Sequence, residues 1–132
     1  MNVLKSVIIT CMLMSFSTAF AQNEKAAGKK KYDMKTYYLV FLKKGPNRNQ
    51  DSVTVKKLQE GHMAHLSKMA ETGKMDIAGP ITADIDLRGI CIYNVATKEE
   101  AEKLVNEDPM VKAGRLIAEI LPFYSAKGAT LR

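Results

Sequence analysis

The sequence predicts an α+β domain of ferredoxin-like βαββαβ order, a four-stranded antiparallel sheet with two helices on one face. Three observations carry that expectation. Four short runs rich in β-branched or aromatic residues alternate with two longer stretches of helical period, in the order strand, helix, strand, strand, helix, strand. Both helical stretches open on capping residues, and they close at Gly73 and at Asp108-Pro109. The strands are apolar on both faces, so both faces of the sheet need cover.

The first strand is Thr36 to Leu42, with Tyr37, Leu39 and Phe41 on one face and Tyr38, Val40 and Leu42 on the other. Gly45-Pro46-Asn47 marks the loop that follows. Asp51 or Ser52 caps a helix that runs to about Thr72, and Gly73 stops it. Lys74 to Ala78 is a short second strand closed by Gly79-Pro80, and an acidic loop with Asp84 and Asp86 comes next. Arg88 to Val95 is the third strand, with Ile90 and Ile92 opposite Cys91, Tyr93 and Val95. Thr97-Lys98-Glu99-Glu100 is a capping box for the second helix, whose apolar stripe is Ala101, Leu104 and Val105. Pro109 to Lys112 forms one further turn, Arg115 to Leu121 the fourth strand, and Pro122 to Arg132 a C-terminal tail. Two helices cover one face of this sheet. A second copy of the chain, packed sheet to sheet as an isologous homodimer, is the economical cover for the other.

The flanks set the compartment. Lys5, the apolar run Val7 to Phe16 and Ala19-Phe20-Ala21 have the three-part form of a secretory signal, cleaved near Ala21. The expected product is exported, periplasmic or secreted, with no stable membrane anchor. Cleavage removes Cys11 and leaves Cys91 alone in an apolar strand, so no internal disulfide can form and Cys91 reads as a small core hydrophobe. The net charge of +6 is mostly local. Residues Gln22 to Lys35 set five lysines against Glu24 and Asp33, whereas the chain from Thr36 onward carries 14 basic and 12 acidic residues. The first segment reads as a flexible linker before a domain spanning about residues 36–128, with 129–132 as its tail. With Tyr32 as the single aromatic residue among those lysines, nucleic acid is not an expected partner.

The candidate chemistry lies on the first helix, which holds both histidines. At about 100° per residue, Val55, Leu58, Leu66 and Met69 share a face, His62 lies in the middle of it and His65 on its flank. An imidazole on an apolar face is costly unless hydrogen-bonded. A structural acceptor would satisfy it; a carboxylate would also fix its tautomer and raise its basicity. Asp108, at the break of the second helix, is the candidate carboxylate, with a plain helix cap as the competing role. Asp84, Asp86 and Arg88 are candidates to rim a cavity, or else solvated loop charges. His62-x-x-His65 has metal-ligand spacing on a helix, but two ligands without a third do not make a metal site. No phosphate-cradling glycine loop and no G-x-S-x-G elbow is present.

Several motifs in order resemble the YCII-related (YciI-like) family of the dimeric α/β barrel superfamily. They are His62 with Gly73 eleven positions on, Ala78-Gly79-Pro80, Arg88-Gly89, and Asp108-Pro109-Met110-Val111-Lys112-Ala113-Gly114. Gly45-Pro46-Asn47 and Pro122-Phe123-Tyr124 fit one branch of it. The resemblance covers about Tyr37 to Gly128. It implies His62 and Asp108 as an active-site pair in a cleft between helices and sheet; His65, Asp84, Arg88 and Tyr124 are the further pocket-lining candidates in the chain. It further implies cofactor-independent proton transfer of the lyase, isomerase or dehydrochlorinase kind on a small organic molecule, aromatic compounds among them. The alternative is a noncatalytic module that binds a small molecule in the same cleft or serves as a structural dimer. The secretory signal and lysine-rich linker depart from the family's usual cytoplasmic form.

Overall fold

Strand β1 (Met34–Lys44) leads through a loop to α1 (Ser52–Glu71), then β2 (Met75–Pro80), β3 (Leu87–Tyr93), α2 (Lys98–Asn106), the one-turn α3 (Pro109–Lys112) and β4 (Leu116–Ala126). This is a computed structural model, and it describes residues 31–131. The signal peptide expected at residues 1–21, and the linker as far as residue 30, lie outside the described residues. The chain divides into Met1–Tyr32 and Asp33–Arg132, and the fold is that of the second unit. Its sheet has the order β2-β3-β1-β4 with every neighbouring pair antiparallel, which is the ferredoxin-like arrangement.

Local chemistry sets the helix ends. Asp51 accepts from the Thr54 N–H at 2.9 Å and from its hydroxyl at 3.0 Å, capping α1. At the other end Gly73 takes φ +69°, and the Lys74 N–H donates to the Met69 carbonyl at 2.9 Å. Thr97 caps α2 by accepting from the Glu100 N–H at 3.1 Å, and Glu100 reaches back to the Ala96 N–H at 3.2 Å, one residue before the cap.

The strand ends need correction. β1 takes in Met34 and Lys35 from the expected linker, because β4 continues past Leu121 and pairs Met34 with Ala126. Pro122 therefore lies inside a strand rather than opening a tail. Gly79-Pro80 likewise belongs to β2, where Pro80 pairs with Gly89. β2 and β4 are the two edges of the sheet, and an edge is where a strand tolerates a residue with no N–H.

The two faces of the sheet differ as the alternation predicts. On one face Val40 stands opposite Cys91 and Ile120, and this face carries the core. Val40, Cys91, Tyr93, Ala101 and Val105 are all at most 2% exposed. Helix α1 lies over β2 and against α3, and α2 lies beside β4. On the other face Leu39 stands opposite Ile92 and Leu121, and Tyr37 opposite Phe123. Leu121 and Phe123 there are 42% and 38% exposed. A Lys43–Glu119 ion pair stands on the same open face.

Candidate active site

Helix α1 and the one-turn α3 meet where the candidate chemistry lies. Gly61 is the reason they come so close. A Cβ at that position would stand 3.0 Å from Cγ of Pro109, so the bare backbone lets the start of α3 rest against α1. Asp108, the N-cap of α3, is thereby delivered to the next residue of α1. Its Oδ2 lies 2.6 Å from Nδ1 of His62, and its Oδ1 accepts from the Met110 N–H at 2.8 Å. The side chains of His62 and Asp108 are 12% and 4% exposed, so the pair is largely withdrawn from water. Cap and partner, the two roles weighed for Asp108 from the sequence, are filled by its two oxygens at once.

This contact determines which ring nitrogen is available. A carboxylate only accepts, so Nδ1 carries the hydrogen and the neutral ring holds a lone pair on Nε2. His62 lines a cavity of about 680 Å³ while Asp108 does not. His62 thus touches both the carboxylate and the cavity, and Nε2 is the ring nitrogen that the carboxylate leaves free. The cavity lies between α1 and the β2–β3 hairpin. Val55, Leu66, Met75, Cys91 and Met110 supply much of its wall, and Arg48, Gln59, Ser67, Asp76, Arg88 and Arg115 bring polar groups.

The other candidates fall in different places. Arg88 lines the cavity with His62. His65, Asp84 and Tyr124 do not, and the reasons differ. Asp84 is on an exposed loop, 3.9 Å from Arg88. Tyr124 is 68% exposed and near the end of β4. His65 is buried more deeply than His62, and its Nε2 has no hydrogen-bond partner. Burial holds its proton affinity below the ordinary value, although the Asp108 and Glu107 charges pull the other way. The true buried side of α1 is thus rotated toward His65 from the stripe that apolar residues alone define.

Cys91 is on the cavity floor, and burial followed by the Asp108 charge pushes its thiol up to about 12. It is a protonated thiol at neutral pH and a poor nucleophile. Among the described residues no group of three His, Cys, Asp or Glu is placed to hold a metal ion. Gly61, Arg48 and Arg115 escaped the sequence analysis. Gly61 did leave a trace, since a glycine in mid-helix costs about 1 kcal/mol against alanine and signals close packing when it is kept.

A ferredoxin-like sheet whose first helix seats a histidine on a buried carboxylate, at the wall of a mainly apolar cavity, defines a class of small α+β proteins with a built interior site. The chain belongs to the YCII-related domain family, whose profile matches residues 36–124. A solved structure similar to it is the 5-chloro-2-hydroxyhydroquinone dehydrochlorinase of Burkholderia phenoliruptrix AC1100 in complex with 2,5-dihydroxybenzoquinone. It is 24% identical, with 67% of this chain and 90% of that one covered and a TM-score of 0.45. That activity and that quinone are properties of the relative. No curated protein matches the chain.

Proposed function

We propose that this protein is an enzyme that moves a proton on a small organic molecule held in the cavity, with His62 as general base and acid. The observation that carries this is the 2.6 Å contact between His62 Nδ1 and Asp108 Oδ2 at the cavity wall. Asp108 acts as a positioning residue. It fixes the tautomer, orients the ring and stabilises the imidazolium that forms when Nε2 takes a proton. The electron pair left on the substrate then shifts to a neighbouring atom. In an isomerisation the imidazolium returns the proton at that new position; in an elimination the pair expels a leaving group. Neither route draws on a cofactor. The apolar wall keeps water from competing for the base.

Exchange from deuterated solvent tests this without a known product. Incubated with a panel of phenolic and lactone compounds, the wild-type chain should bring deuterium into at least one carbon position. His62→Gln should lose that exchange by about 10² to 10⁴-fold while the fold persists. A compound that binds and is recovered with no deuterium, across the whole panel, would instead support a noncatalytic binding module.

Two further features belong to the same proposal. The face with Leu121 and Phe123 is covered by the same face of a second copy, so the working unit is a homodimer. Sedimentation equilibrium of Phe123→Lys should then give a monomer. The chain is exported, and intact mass of the protein recovered from the periplasm or medium should show a start at Gln22.

A further inference from the structure

The charge of the cavity is as distinctive as its histidine. Arg48, Arg88 and Arg115 all line it, and Asp76 stands against them. Asp76 is itself engaged by the Asn94 amide, at 3.1 and 3.2 Å.

These arginines come from three distant stretches, and two of those stretches are stitched together by backbone. The Gly45 N–H donates to the Arg115 carbonyl at 2.9 Å, and the Asn47 N–H to the Gly114 carbonyl at 3.0 Å. The Asn47 amide donates to the Ala113 carbonyl, and Arg48 Nη1 to the Arg115 carbonyl, both at 3.2 Å. Glycine is required on both sides of this seam. A Cβ on Gly45 would stand 2.2 Å from the Gly114 oxygen, and one on Gly114 would stand 2.5 Å from the Asn47 amide nitrogen. Gly114 also has φ +66°. The motifs Gly45-Pro46-Asn47 and Ala113-Gly114 thus have a common result, which is to hold Arg48 beside Arg115.

Guanidinium groups stay charged at physiological pH, and of the three that line the cavity Arg48 and Arg88 are exposed while Arg115 is half-buried. Among the described residues, little besides Asp76 offsets their charge. Arg88 has Asp84 at 3.9 Å, on a side chain that is fully exposed, and Arg115 bonds the neutral Gln50 amide oxygen at 3.0 Å. Burial, then the charges of Arg115 and Arg88, lowers the proton affinity of Arg48. Three like charges lining one cavity, with little beside them to offset the charge, fit a site built for an anion.

We propose that Arg48, Arg88 and Arg115 form an anion subsite, and that the molecule bound in the cavity is a small organic carboxylate with an apolar body. Its carboxylate lies on the arginines and its reacting carbon at His62. The placement of the reacting carbon rests on the proton-transfer proposal above, whereas the subsite stands on the arginines alone. Guanidinium forks match a planar carboxylate bidentately. The remaining wall is largely hydrocarbon, which inorganic phosphate would leave facing water. A carboxylate beside the reacting carbon also gains charge as the proton departs, and cationic groups at its oxygens favour that gain.

The test titrates the full chain with benzoate, with benzamide as its neutral counterpart, and with inorganic phosphate, each followed by calorimetry and by thermal midpoint. Benzoate should bind, raise the midpoint, and exceed both others in affinity by about tenfold. Arg88→Gln should weaken benzoate by about tenfold and leave benzamide unchanged, with Arg88→Lys between the two. Arg88 holds a single loop carbonyl and its side chain is 42% exposed, so this variant should fold. Benzoate no better than benzamide, phosphate as tight as benzoate, or benzoate unaffected by both Arg88→Gln and Arg48→Gln would each overturn the proposal. His62→Gln separates it from the catalytic proposal. Benzoate retained by this variant, with no deuterium exchange on any compound by wild type, would keep the subsite and discard the base. Exchange on neutral compounds with no benzoate bound would do the reverse.

Discussion

The helix-covered side of the sheet has a packed half and a hollow half. Around Val40, Tyr93, Ala101 and Val105 the interior is closed, with side chains at most 2% exposed. Between α1 and the β2–β3 hairpin the same layer opens into the cavity that holds His62 and three arginines. Both halves use the same strands, so the difference is not one of secondary structure. The packed half is built for stability. The hollow half gives up burial and gathers three arginines around one histidine. Asp108 and His65 stand at the seam between the halves.

Substitutions should divide along that line, and the largest effect is expected at the seam. Asp108→Ala removes both the cap of α3 and the His62 partner from a site that is 3% exposed, and should cost about 3 kcal/mol in urea unfolding. A loss under about 1 kcal/mol would mean the contact carries little of the fold. Val105→Ala, in the packed half, should cost about 2 kcal/mol through lost burial and an unfilled void.

His65 gives a pH signature. Its folded-state proton affinity is depressed by burial, so its contribution is full above the ordinary value of 6.5 and is lost as pH falls from there toward the depressed value. Over that window the unfolded chain takes up the proton first, and stability should drop by up to about 1.4 kcal/mol per pH unit. His65→Leu should flatten this part of the slope in melts at pH 7.5 and 5.5, and change stability at pH 7.5 by under about 1 kcal/mol, because the orphaned Nε2 disappears with the ring. The smallest effect belongs to the hollow half. Leu66→Ala enlarges a cavity that already exists and should cost less than about 1 kcal/mol, well below Val105→Ala. Equal costs at Leu66 and Val105 would erase the distinction between the halves.

Much of this was legible in the chain because it depends on local chemistry. The caps at Asp51 and Thr97 and the stop at Gly73 each act within a few residues, and strand alternation sorts Val40 and Cys91 to one face and Ile90 and Ile92 to the other. Helical phase pointed to His62, and the Asp-Pro break to Asp108. The arginines were hidden for a physical reason. Arg48 meets the Arg115 carbonyl across 67 positions, and only the close crossing of Gly45 and Gly114 brings them together. Nothing in either residue's neighbours in sequence announces the other. The depth of His65 was equally hidden, since α3 and not α1 decides which flank of the helix is covered. The extra length of β1 and β4 arises from their mutual pairing, which overrides the proline at position 122.

The pairing of β1 with β4 also governs when the protein can fold. Strand β1 is central to the sheet, yet one of its neighbours is the last strand among the described residues. The ion pair that closes this seam, Lys127 with Asp33, joins residues 94 positions apart. The sheet therefore cannot close until β4 is in place beside β1, and the long loop that must be shut makes closure slow. A chain that stays open for that interval leaves one edge of β1 unpaired, the state from which strands of neighbouring chains associate.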